Sequence, residues 1–245
     1  MIRKILILLA LILSSAYLVV AVTVFNGKPT TQVCKSIELN MKDSSECSFV
    51  NHAEITSLLK RNKLYPINQP LKDINIRLLE EAIRQHPFVK TAECFFTSGG
   101  NVAANIYQRI PILRIMGNNG EDYYLDNEGQ IMVAPGKSVQ VAVATGNIDR
   151  HFAQTELYEL GKYLQNHPFW EAQIEQINVT ARKELELVPR VGNHLLFLGK
   201  PGDYNEKFTK LQTFYEKALN KVGWNKYSRI SIEFTNQIIC TKKEK

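Results

Sequence analysis

The stretch Ile5–Phe25 constrains this chain more than any other feature. It runs 21 residues without a charge, with Arg3 and Lys4 before it and Asn26-Gly27 after it. As a helix it would be about 31 Å long, enough to cross the hydrocarbon core of a bilayer. Its basic start sets the N-terminus in the cytoplasm and exports everything from Asn26 onward. The expectation is a single-pass inner-membrane protein: a cytoplasmic tail (1–4), a transmembrane helix (5–25) contacting the lipid bilayer, and a short polar linker (26–32). A cleaved signal peptide is the alternative, but an apolar stretch of this length exceeds the usual range of about 7–15 residues.

The exported remainder has the composition of a packed protein, since 44% of the whole chain is hydrophobic and 22% charged. The net charge of +6 draws partly on Lys242, Lys243 and Lys245 at the end. No basic cluster is interleaved with aromatics, so no nucleic-acid partner is expected. Four cysteines would lie in a disulfide-permissive compartment, without CxxC or metal-ligand spacing. A Cys34–Cys47 bridge would close a short loop, and Cys94 falls on the apolar parity of a strand, as a core residue does.

Periodicity gives the order of elements. A first strand is expected through Val33, Ile37 and Leu39, then a helix opened by Asn51 with Glu54 three residues on, a capping pattern. A second helix carries Ile74, Leu78, Leu79, Ala82 and Ile83 and must stop near His86, because Pro87 disfavours helix in the residue before it. Two alternating strands follow, Val89–Cys94 and Val102–Ile106, turning at Ser98-Gly99-Gly100. The segment 33–110 therefore reads as a small β-α-α-β-β domain.

Beyond Pro111, short strands are expected at Leu113–Met116, Tyr123–Leu125, Ile131–Val133 and Val139–Ala144. A helix capped by Thr155 presents Leu157, Leu160 and Leu164. Strands follow at Ile174–Val179, then a hairpin of Leu185–Val188 with His194–Leu198. A long helix over about 205–222 has Phe208, Leu211, Tyr215, Ala218 and Val222 at spacings of three and four. Ile230, Ile232 and Phe234 alternate, and Ile238–Cys240 closes the chain. The segment 111–241 reads as a mostly antiparallel β domain with two helices, followed by a basic tail (242–245). The fold class is α+β.

Catalytic signatures are absent, so no enzyme is expected. There is no G-x-S-x-G, P-loop, G-x-G-x-x-G or H-E-x-x-H sequence. Ser57-Leu58-Leu59-Lys60 matches S-x-x-K without its companions S-D-N and K-T-G and reads as ordinary helix. Glu80-Glu81 and Glu121-Asp122 read as solvated carboxylates. His86-Pro87-Phe88 and His167-Pro168-Phe169 read as a proline stopping a helix and an aromatic seating the next strand. Neither catalytic, cofactor nor metal residues are assigned.

The stretch Leu78–Pro111, with its helix ending at Pro87, the apolar Phe88-Val89 opening a strand and the strand end Gln108-Arg109-Ile110-Pro111, resembles a POTRA domain of the bacterial cell-division family FtsQ/DivIB. Tyr123–Gly129 resembles the hairpin that opens that family's β domain, with the pattern leucine, Asp, x, x, Gly. Ala144-Thr145-Gly146 resembles the stretch before that domain's first helix. Ile230–Cys240 resembles its final strand pair in a form associated with Bacteroidetes members. Gln108 stands where the family usually has Glu, and Glu233 where some proteobacterial relatives carry a basic residue.

The resemblance implies a divisome scaffold that holds FtsB- and FtsL-like partners and, through them, affects septal peptidoglycan synthesis by FtsW and FtsI. A last strand near the chain end is a natural sheet edge, and an exposed edge accepts an added strand. The expected partner contacts are Thr235, Asn236, Gln237, Ile238, Ile239 and Cys240, flanked by Ser231, Glu233, Lys217 and Lys221. Two rival readings are a POTRA module of protein export or outer-membrane assembly, although no barrel-length set of strands follows, and a membrane-tethered periplasmic enzyme.

Overall fold

The computed structural model describes residues 11–21, 32–42, 49–133, 139–234 and 236–243. The chain divides into two compact units, Met1–Gln108 and Arg109–Lys245.

The transmembrane helix expected over Ile5–Phe25 requires correction. Residues 11–21 are helical. Among the described residues, no helix is long and apolar enough to cross a membrane. Residues 5–10 and 22–25, and the linker 26–31, lie outside the described residues. The single-pass orientation and periplasmic placement inferred from that run therefore have no support from the described helices.

The first unit contains β1 (Ile37–Met41), α1 (His52–Arg61), a 3-10 turn (Leu71–Asp73), α2 (Ile76–Arg84), β2 (Val89–Phe96) and β3 (Val102–Gln108). Its sheet has the order β1-β3-β2, with β1 parallel and β2 antiparallel to β3. Val33 forms only an isolated bridge to Pro70, so the first strand is shorter than expected. Asn51 caps α1 in a full capping box with Glu54. Ile55, Leu58 and Leu59 of α1 and Leu79, Ala82 and Ile83 of α2 are buried.

Gln108 closes this unit from inside. Only 3% exposed, it accepts from the Phe49 and Val50 main-chain N–H groups at 3.0 and 3.1 Å. A glutamate oxygen could accept the same two bonds; the amide does so without burying a charge. Cys34 is fully buried, and its candidate partner Cys47 lies outside the described residues. Cys94 is buried as expected, and burial pushes its thiol up to about 12, far from a reactive thiolate.

The second unit is one sheet of nine strands in the order β12-β11-β10-β9-β8-β7-β4-β5-β6. They are β4 (Pro111–Gly117), β5 (Asp122–Asp126), β6 (Ile131–Val133), β7 (Ala142–Gly146), β8 (Ile174–Val179), β9 (Leu185–Pro189), β10 (Leu195–Gly199), β11 (Tyr227–Ser231) and β12 (Ile239–Lys242). Most pairs are antiparallel, but β4–β7, β7–β8 and β10–β11 are parallel. Parallel neighbours need long crossovers, and the helices supply two of them. α3 (150–165) and α4 (Pro168–Gln173) join β7 to β8, and α5 (204–222) joins β10 to β11.

Two sequence expectations change here. Asp149, not Thr155, caps α3, accepting from Phe152 N at 2.9 Å; Thr155 sits inside the helix, its hydroxyl donating to His151 O. Pro168 does not simply end a helix. It occupies the first turn of α4, where its missing N–H costs nothing, so the unit has three helices rather than two.

The helices cover one sheet face. Leu157, Leu160, Leu164, Trp170, Phe208, Leu211, Tyr215 and Leu219 pack on sheet residues from Leu113 to Ile232. The hairpin β5–β6 is fixed by Asp126, whose side chain is 2% exposed. It takes the Arg109 guanidinium at 2.7 Å and the Glu128 and Gln130 N–H groups at 3.0 and 2.8 Å. Asp126→Ala strands the half-buried Arg109 and frees two turn amides, and should cost about 3 kcal/mol of the second unit's stability. Urea unfolding of the variant against wild type checks this.

Candidate partner-docking edge

The nine-strand order ends at β12, which among the described residues pairs only with β11. The register sets Tyr227 opposite Lys242, Arg229 opposite Thr241, Ile230 opposite Cys240 and Ser231 opposite Ile239. Lys243 N donates to Lys226 O at 3.2 Å, and Thr241 O accepts from the Ser228 hydroxyl at 3.3 Å. Peptide groups alternate in direction along a strand. With Thr241 and Lys243 turned toward β11, the N–H and C=O groups of Cys240 and Lys242 face the open side.

Side chains alternate too. One row across the sheet, Ile177, Leu187, Leu196, Ile230 and Cys240, is in mutual register and lies on the helix-covered face. Cys240 is the half-buried end of that core row, and burial raises its thiol pKa. On the opposite face Glu186 pairs with Arg229 at 3.0 Å and Asn178 donates to Glu186 at 3.1 Å. The Arg229 guanidinium also lies 4.2 Å from the Phe197 ring centre. Ile239, 48% exposed, continues this face to the edge.

The expected contact residues separate into groups. Ser231, Ile239 and Cys240 are in the terminal strand pair, Asn236 and Gln237 are exposed in the turn before β12, and Ile238 packs partly on the core. Thr235 lies outside the described residues, as do Glu244 and Lys245. Lys217 and Lys221 are exposed on the last turns of α5, on helix and not on strand.

Glu233 is turned inward. A Cβ at Gly199 would lie 2.7 Å from Glu233 Cγ, so the glutamate stem lies over Gly199. Burial lowers the Lys207 pKa, opposed in part by the charges of Asp203 and then Glu233. Lys207, 5% exposed, donates to Lys200 O at 2.9 Å, and Lys210 donates to Phe234 O. These two lysines tie the β10–α5 loop and the segment leading to β12 onto one helix. The sequence signal for Lys207 was available: it stands three residues after Tyr204 and four before Leu211, on the apolar stripe of α5.

Residues considered for catalysis do not assemble into a site. Glu80 accepts from Cys94 N, and Glu81 pairs with Arg77. Glu121 pairs with Arg150 and Asp122 with Arg114; hydrogen bonds from Asn119 and then Arg150 hold the Glu121 carboxyl below the ordinary range, and Arg114 does the same for Asp122. His86 belongs to the first unit and accepts from Phe88 N; His167, in the second, bonds Tyr163 O at 2.6 Å. Among the described residues, no group of three or more His, Cys, Asp and Glu could hold a metal ion.

Residues 110–241 match the family described as FtsQ/DivIB, C-terminal related, and so cover more than half of the chain. The chain belongs to the FtsQ/DivIB family. Residues 32–107 match the POTRA-like domain. No curated protein matches the chain. A cell-division scaffold role fits both matches, in a family of membrane-associated, non-enzymatic division proteins.

The Glu233 placement carries a test. Gly199 has φ +73°, where a side chain is strained, and its Cβ would also displace Glu233. Gly199→Ala should cost about 1–2 kcal/mol and raise amide exchange in 231–240, as hydrogen-exchange mass spectrometry would show.

Proposed function

We propose that this chain is a divisome scaffold whose second unit receives a strand from an FtsB- or FtsL-like partner along β12, and that this contact links it to septal peptidoglycan synthesis by FtsW and FtsI. The observation that carries the reading is the outward-facing pair of peptide groups at Cys240 and Lys242, at an edge with no strand beyond it among the described residues. An added strand would satisfy those groups, while its alternate side chains would meet Ile239 and Thr241 on one face and Ile238 and Cys240 on the other. The cations around the edge, Lys242 on the strand, Lys243 just after it, and Lys217 and Lys221 on α5, suit a partner with acidic flanks. Glu233, turned toward Gly199, acts as an anchor of the edge and not as a partner contact.

Proline substitution separates the two sides of the strand, because proline removes an N–H and is tolerated in a sheet only where that N–H faces outward. Lys242→Pro should leave the second unit folded and weaken binding of a purified FtsB-like ectodomain about tenfold or more, through a lost hydrogen bond and an obstructed approach. Thr241→Pro should instead loosen β12 itself. A Lys242→Pro variant that binds like wild type would rule out strand addition at this edge.

A further inference from the structure

His194 has no part in the docking chemistry, yet it lies beneath the turn that fixes one end of the docking edge. It precedes β10, is 4% exposed, and its Nε2 is 2.9 Å from the Tyr215 hydroxyl on α5. Its Nδ1 is buried and makes no hydrogen bond of ordinary geometry, and the Trp224 main chain is the one neighbouring group that favours the charged ring. The pocket leaves little room: a Cβ at Gly192 would lie 2.6 Å from His194 Cε1. Trp224 closes the site, with its ring centre 6.4 Å from that of His194 and 4.8 Å from that of Tyr215. Gln173 of α4 bonds both Tyr215 and Val191 O, tying the hairpin before His194 to the same cluster.

The Trp224 turn joins α5 to β11. Two residues on, Lys226 O accepts from Lys243 N, and Tyr227 then pairs with Lys242. The cover over His194 and the clasp that ends β12 are thus parts of one short segment, 224–227.

A neutral imidazole meets this environment at the cost of one idle nitrogen. An imidazolium would need an acceptor at both nitrogens and would bring a charge into an aromatic cluster, which costs far more. The titratable groups around it offer no compensation, since Tyr215 is a neutral phenol and Lys243, beyond β12, is a cation. We propose that His194 is a proton-sensitive latch: while neutral it lets the Trp224 turn close and hold the Tyr227–Lys242 end of the edge, and once protonated it is accommodated only with that turn open.

Burial pushes the His194 pKa below its ordinary value and the Lys243 charge pushes the same way, against a smaller opposing effect of the Trp224 main chain. A pKa depressed in the closed state means that closure is fully favoured above the open-state value of about 6.5 and is lost progressively as pH falls below it. Between pH 7.5 and 5.5 the open population should rise about tenfold, the ratio set by an open-state imidazole of ordinary pKa.

The latch stands without any partner; only its consequence for docking rests on the function proposed above. Amide exchange of Lys243, measured by NMR on the full chain without partner and corrected for intrinsic pH dependence, tests it separately from docking. Wild type should exchange about tenfold faster at pH 5.5 than at pH 7.5, and His194→Gln, which keeps an amide for Tyr215 and cannot titrate, should show no such change. If that variant does not fold, the wild-type His194 ring signal decides the matter, because it should titrate only together with loss of Lys243 protection. Equal pH dependence in the two proteins, a pH-independent wild type, or a ring that titrates while Lys243 stays protected would each overturn the latch.

Discussion

The second unit depends on a ladder of main-chain hydrogen bonds that passes through nine strands and then stops. Inside a sheet each strand satisfies its peptide groups on two sides, and burial of an unpaired group is costly enough that interruptions are rare. β12 has one such side, toward β11, and its other side carries the N–H and C=O groups of Cys240 and Lys242. Everything that sets the position of β12 therefore also sets where a partner strand can add.

Several devices do this. The core row from Ile177 to Cys240 carries apolar packing from the middle of the sheet to its last strand. Lys207 and Lys210 reach from α5 to the carbonyls of Lys200 and Phe234, holding the loop after β10 and the segment after β11. Glu233 lies over Gly199, and the Trp224 turn with the Lys243–Lys226 bond closes the far end. The edge is open on one side but anchored at both ends, a combination that limits the entropy cost when a partner adds.

Much of this was legible in the sequence. The capping box at Asn51, the helix stop before Pro87 and the α5 stripe from Phe208 to Tyr215 follow from local rules and match the structure, whereas beyond Tyr215 it is Leu219 that is buried and the expected Val222 that is exposed. The Tyr123–Gly129 hairpin was legible because Asp126 supplies its own turn acceptors. Strand direction was not legible. Alternation says which face a residue takes and nothing of which neighbour it pairs with, so the parallel pairs β4–β7, β7–β8 and β10–β11 emerge only in three dimensions. Thr155 misled because a hydroxyl can bond a carbonyl one turn back as readily as it caps. The apolar run near the N-terminus was expected to span a membrane, and among the described residues no helix is long and apolar enough to do so. The approach of Glu233 to Gly199 was not legible, since the two are 34 residues apart in the chain.

If a partner strand adds to β12, it pairs with the outward peptide groups of Cys240 and Lys242. Residue-resolved amide exchange of the full chain, with and without an FtsB-like ectodomain, tests it most directly. The Cys240 and Lys242 amides should exchange rapidly in the free protein and become protected in the complex, while the Lys243 amide, already bonded to Lys226, changes little. A complex that forms with Cys240 and Lys242 still exchanging freely would contradict it.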